Sequence, residues 1–260
     1  MKKHSKTVEE GSKTAKGGFE NEKLVKTIFN DWKINERAKT WIKSMGKEPE
    51  KITTLNAFLP KELGLPNGKA DVILKIDSKK EGISIKRFSA GFNQIDKRWA
   101  DKYADLWKIP ENVLNVLKKY AGQEGFRPVD LIKEEEKLES IKDRRRYYLN
   151  ELATDEKNLV LGFFKINLHR IIKDLFQGQG ETKANWLLVV KYEDEEIIDS
   201  KLISIEKAIQ HYSKGGISVT AKGNIKLGKI TLQRKGGDGG RETAQMLQFK
   251  FSPDDVLMLE

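Results

Sequence analysis

Two hydrophobic periods run through this sequence, and any fold it adopts must satisfy both. Short β-branched runs, ADVILKI at 70–76 and ISIKRFS at 83–89, then ANWLLVVKY, IIDSKLISI, GISVTA, NIKLGKITLQ and AQMLQFKF, read as strands. Elsewhere apolar residues recur every three or four positions. Phe19, Val25, Ile28, Phe29 and Trp32 predict a helix from about Gly18 to Asp31, and Trp41, Ile42 and Met45 a second. Pro110 starts another through Val113, Leu114 and Leu117, and helical spacing returns from Asp155 to Phe176 and near Ile205 to Tyr212. In GFNQIDKRWADKYADLW, Ile95, Trp99, Tyr103 and Leu106 share one helical face, with Asn93 as the N-cap. Strands placed after helices and around a central hairpin predict an α/β fold on one sheet with flanking helices. At 260 residues the chain can form one such domain or two small ones.

Composition narrows the chemistry. With no cysteine and only His4, His169 and His211, disulfides and thiolate zinc sites are excluded and a histidine-built site is disfavoured, so any metal should be a hard cation held by oxygens. A net charge of +10 favours a polyanionic partner, although 39 acidic residues stand against 49 basic ones, so the positive charge must be arranged. Solvated helix faces, the Glu134-Glu135-Glu136 run among them, account for much of the high charge content, and the charged stretch from Gln123 to Asp143 is read as a surface excursion. No apolar run is long enough to span a membrane and none follows Met1 as a signal core, so the cytoplasm is the expected location.

The hairpin at about 70–89 carries the first candidate site. Phosphodiester hydrolysis with oxygen-bound Mg2+ needs carboxylates beside the phosphate and a cation near the developing charge. If Asp71 opens the first strand, alternation on the second puts Ser84 and Lys86 on one face and Ile83 and Ile85 in the core. That is a nuclease-like D…XxK arrangement; its alternative is a hairpin with a solvent-facing lysine.

Two further segments, about 91–99 and 231–243, suit a nucleic acid. After Lys86 the chain presents Phe92, Asn93, Gln94 and Lys97, in which Phe92 can wedge between base steps while Gln94 and Lys97 meet base edges. Phe92 can equally be a hydrophobic staple before an Asn93 cap. In TLQRKGGDGGRETAQMLQF, Gln233, Arg234, Lys235 and Arg241 offer donors and Asp238 an acceptor, among glycines that permit close backbone approach. A solvated hairpin tip is the other reading of that segment.

At these residues the chain resembles type II restriction endonucleases of the PD-(D/E)XK fold, and the GCGC-reading HinP-type group in particular. The resemblance is carried by GSKTAKGGFENEK (11–23), GFNQIDKRW (91–99), HYSKGGISVTAKGNIKLG (211–228) and TLQRKGGDGGRETAQMLQFKF (231–251). It implies a single endonuclease domain over 1–260, with a central mixed sheet flanked by helices, that cleaves double-stranded DNA with Mg2+ at a short GC-rich palindrome. It also implies a cognate DNA methyltransferase as functional partner, and leaves a monomer or a weak homodimer open.

By the same resemblance Asp71 is the metal-binding carboxylate, helped by the backbone carbonyl of Ile85, Lys86 is the catalytic lysine, and Glu22 lies near the site. Phe92 and Gln94 enter the DNA, Lys97 helps read bases, and Gln233, Arg234 and Lys235 contact the major groove. Ala70 stands where the signature has proline, and Ser84 where it has glutamine or a carboxylate. Asp77 or Glu81 can substitute if the hairpin register differs. A DNA-binding protein that does not cleave, and a repair nuclease of the same fold, are the rival expectations.

Overall fold

The computed structural model describes residues 20–88, 92–124, 147–193, 196–235 and 242–259. The leader up to Phe19, Gly91, most of the 123–143 excursion, Asp238 and Arg241 lie outside the described residues. In chain order the helices are α1 (20–30), α2 (Glu36–Ser44), α3 (Ala100–Trp107), α4 (Glu111–Ala121), α5 (Thr154–Gln177), α6 (Ile205–Tyr212) and the single turn α7 (Asp254–Leu257). The strands are β1 (Leu55–Phe58), β2 (Val72–Ile76), β3 (Lys79–Arg87), β4 (Asn93–Arg98), β5 (Trp186–Glu193), β6 (Glu196–Ser204), β7 (Ile217–Val219), β8 (Ile225–Leu227), β9 (Ile230–Arg234) and β10 (Leu247–Phe251). Contacts along the backbone divide the chain into two compact units.

The first unit comprises residues 1–91, 173–210 and 253–260. Its sheet has the order β1-β2-β3-β5-β6, and β3 with β5 is its parallel pair. Val72, Ile73, Leu74 and Ile76 are all buried, as a strand covered on both faces requires. Asn35 caps α2 by accepting from the Arg37 and Ala38 amides, which turns Trp41 and Ile42 inward. Trp41 packs on Phe29 of α1 at 5.0 Å between ring centroids and donates its indole N–H to Ser200 Oγ at 3.0 Å. Each fully buried aliphatic or aromatic side chain in this cluster contributes about 1.5–3 kcal/mol.

The two runs ADVILKI and ISIKRFS leave residues 77–82 between them as a polar turn, but β3 already begins at Lys79 and the turn shrinks to Asp77 and Ser78, with Asp77 at φ +50°. Gly82 instead lies against the segment before β5. A Cβ there would meet the Lys183 carbonyl oxygen at 2.2 Å, and the Gly82 amide donates to Asn185 Oδ1 at 2.9 Å. The hairpin that carries the candidate site is thus held by backbone contact, which only glycine permits. Strand β1, which periodicity does not single out, pairs antiparallel with β2.

The second unit comprises residues 92–172 and 211–252, with a fully antiparallel sheet of order β4-β10-β9-β8-β7. This sheet is additional to the single one that the two periods suggest. Strands β9 and β10 alternate buried and half-buried residues, giving one core face and one polar face. Tyr103 stacks on Trp107 at 4.6 Å, and both meet Phe249 edge-on. NIKLGKITLQ, read as one strand, is two, β8 and β9, joined through Gly228 at φ +58°.

Residues 93–98 correct the sequence reading most. They form a strand paired with β10, and the helix starts only at Ala100, with Trp99 in the capping position that was expected of Asn93. Ile95 with Trp99, Tyr103 and Leu106 fits a helical period, but Ile95 is also the inward residue of a strand whose partner lies some 150 residues away. The long-range backbone bonds decide in favour of the strand.

Candidate active site

Asp71 sits just before β2, and its amide donates to the Ile83 carbonyl at 2.8 Å. Because Val72 faces Ile83 in the register, Asp71 stands opposite Ser84. The Ile85 amide donates to Asp71 Oδ2 at 2.6 Å and Ser84 Oγ to the same oxygen at 3.4 Å. Lys86 closes the group. Its Nζ donates to Ser84 Oγ at 3.1 Å and to the Ile85 carbonyl at 3.0 Å, and lies 3.7 Å from Asp71 Oδ2. Asp71 and Lys86 each keep roughly a quarter of their side-chain surface open, at 24% and 22%, so both can meet a ligand.

Ser84 does share a face with Lys86, but it is buried at 3% exposure. Its hydroxyl therefore links lysine to carboxylate. Asp77 and Glu81 are committed elsewhere: Asp77 Oδ1 accepts from the Thr53 and Thr54 amides, and Glu81 Oε2 accepts from the Trp186 indole. The register leaves neither as a substitute for the carboxylate missing at Ser84.

Glu22 reaches the site from α1. Its carboxyl is pushed up to about 7, first by burial and then by the charge of Asp71, while Lys86 and Lys61 pull it down. A carboxyl this strongly perturbed beside another carboxylate is a functional candidate in its own right. Lys61, from the 3-10 turn Pro60–Leu63, is a cation that sequence reading missed; a lysine in a loop between prolines carries no periodic signal.

The oxygens gathered here are the Asp71 carboxylate, the Ile85 carbonyl and the Glu22 carboxyl, with mutual repulsion between Asp71 and Glu22. That donor set fits a hard divalent cation, which takes few protein ligands and keeps waters and phosphate for the rest. Among the described residues no group of three or more His, Cys, Asp or Glu side chains converges, so a cation would depend on the carbonyl and on its other ligands.

The remaining sequence candidates fall in the second unit. Phe92 is exposed at 58%, which removes the staple reading because no helix cap follows it. Asn93 opens β4, Gln94 is exposed, and Lys97 is half-buried. A bulge in the β4–β10 pairing sets Lys97 opposite Gln248 and Gln94 opposite Lys250. Residues three apart on a regular strand face opposite ways; the extra residue brings Gln94 and Lys97 to the same face.

Gln233 lies on the polar face of β9, opposite Gln248, and the Lys235 amide donates to the Met246 carbonyl at 2.8 Å. Arg234 differs from the open major-groove donor that the resemblance implies. It is 7% exposed, donates to the Tyr147 carbonyl at 3.2 Å, and lays its guanidinium 3.7 Å from the Tyr148 ring centroid. Alternation puts it with Ile230 and Leu232 on the inward face, and in this conformation it anchors residues 147–148.

A family model described as R.HinP1I restriction endonuclease matches residues 65–257, most of the chain. The chain belongs to this family. It is accordingly a type II restriction endonuclease, and the match contains the Asp71, Ser84 and Lys86 cluster. The endonuclease is also similar in fold to the crystal structure of restriction endonuclease MspI in complex with its cognate DNA, with a TM-score of 0.57 and 12% identity over 88% of this chain and 83% of that one. No curated protein matches the enzyme. Among the described residues no helix is long and apolar enough to cross a membrane.

Proposed function

We propose that this restriction endonuclease hydrolyses both strands of duplex DNA within a short GC-rich palindrome, GCGC being the specific candidate, with Mg2+ as cofactor. The observation that carries the reading is the cluster at the hairpin end, where one lysine ammonium is held by Ser84 Oγ and the Ile85 carbonyl beside Asp71. Asp71, the Ile85 carbonyl and Glu22 would hold the cation. When bound it supplies Lewis acidity at the phosphate and a more acidic water.

The chain's own groups do the rest. Lys86 Nζ donates to a non-bridging phosphate oxygen and offsets the charge that grows there. Asp71, fixed by the Ile85 amide, cannot swing away from the strand end. Glu22, whose carboxyl is pushed up to about 7 by burial and then by Asp71, is the second carboxyl of that cation corner. Ser84 orients Lys86 without adding charge.

Phe92 and Gln94 enter the duplex, Lys97, Gln233 and Lys235 contact bases, and Asn93, Asp238 and Arg241 add further DNA contacts. Arg234 positions its neighbours. A cognate methyltransferase protects the host sequence, and the enzyme works in the cytoplasm as a monomer or weak homodimer, as one endonuclease built from both units. Plasmid digestion with Mg2+, followed by sequencing of the fragment ends, tests the reading: discrete ends within GCGC are expected. Random nicking, or cuts at branched or damaged DNA alone, would refute it.

A further inference from the structure

The polar face of the second sheet carries a contact that gives Gln248, within the 231–251 segment but so far without a role, a part in recognition. Gln248 lies on β10 between Lys97 of β4 and Gln233 of β9 in the cross-strand register. Its Nε2 donates to Oε1 of Gln94 at 2.7 Å. The bulge makes this bond available by turning Gln94 to the same face as Lys97, Gln248 and Lys250.

The bond changes what Gln94 can recognise. A free glutamine amide offers one donor and one acceptor, the pair that suits the N7 and N6 of adenine. With Oε1 turned toward Gln248 on β10, the end of the Gln94 amide that faces away carries its N–H groups. Lys97 and Lys250 beside it are donors only. Three neighbouring donor groups suit an edge made of acceptors, and the major-groove edge of guanine, with O6 and N7, is such an edge.

We propose that Gln248 is a positioning residue for specificity: by holding Oε1 of Gln94 toward β10 it directs that amide's N–H groups outward, so that guanine is preferred over adenine at the base it contacts. The proposal rests on the site-specific endonuclease reading above, and it gives the GC preference a physical origin within the sheet.

The test exchanges the polarity of the bond. In Gln248→Glu the carboxylate can only accept, so the Gln94 amide must turn over, donate to it and present Oε1 outward. In Gln248→Ala the amide turns freely. Cleavage rates of wild type and both variants are measured with Mg2+ on a cognate duplex and on duplexes in which each guanine in turn is replaced by adenine.

For wild type, one position is expected to discriminate by about ten- to a hundredfold. Gln248→Ala should reduce that ratio at the same position alone, and Gln248→Glu should abolish or reverse it. The added negative charge of Gln248→Glu lowers affinity for every duplex, so the ratio is the readout, and a merely structural defect would leave it unchanged. If both variants keep the wild-type ratio within about twofold at every position, the positioning role is overturned while the endonuclease reading stands. If wild type shows no discrimination or no cleavage, the reading beneath it fails as well.

Discussion

Replacing Glu22 by glutamine isolates the electrostatic tension in the active site. The Glu22 carboxyl rises from 4.5 to about 7, chiefly through burial and then through Asp71. The folded state therefore holds this proton more tightly than the unfolded chain does. Stability from that proton is fully present below about 4.5 and is lost as the pH climbs through 7. A shift of this size corresponds to a ceiling of about 3 kcal/mol. Because the side chain is only half-buried, solvent screening reduces it to about 1–2 kcal/mol.

Glutamine is neutral at every pH, so Glu22→Gln escapes this loss. In a chelating buffer near pH 8 the variant should be the more stable protein, its melting temperature raised by roughly 3–6 °C. Below about pH 4.5 the two proteins should converge. Added Mg2+ should stabilise wild type more than the variant, because a cation offsets the repulsion that glutamine lacks. Thermal melts of both proteins across this range, with and without Mg2+, provide the measurement. A difference that stays flat with pH, or a variant less stable at alkaline pH without metal, would refute the assignment of burial and Asp71 as the causes.

Three further outcomes are expected. Lys86→Ala should slow single-turnover cleavage by about a hundredfold or more, the usual cost of losing one donor to developing charge, while gel-shift affinity for the site is largely kept. Ser84→Ala removes a hydroxyl that bridges Lys86 and Asp71 but leaves Lys86 its bond to Ile85, so the same assay should show at most about a tenfold loss. Gly82→Ala drives a Cβ to within 2.2 Å of the Lys183 carbonyl, and denaturant titration should show it less stable by about 1–3 kcal/mol.

Much of the catalytic hairpin is legible in the sequence, because its information is local. A period of two, a polar turn and a carboxylate before the first strand are enough to set Asp71 against Ser84 and Lys86, and the register agrees. Helices α4 and α5 are equally local, each with an apolar stripe several turns long. The inward setting of Arg234 was also readable, since it continues the alternation of Ile230 and Leu232; its guanidinium chemistry drew attention away from that signal.

Other features depend on partners far along the chain, and no local pattern encodes them. Glu22 acquires its perturbed carboxyl only when α1 is packed beside Asp71 and Lys86. Residues 93–98 satisfy a helical period and a strand alternation alike, and hydrogen bonds to β10 choose between them. Gln94 and Lys97 come to one face of that strand through a bulge, and the same bulge admits Gln248 as their neighbour. Periodicity records which side chains must be buried, whereas the pairing of distant backbone groups determines which polar side chains meet, and recognition depends on that second quantity.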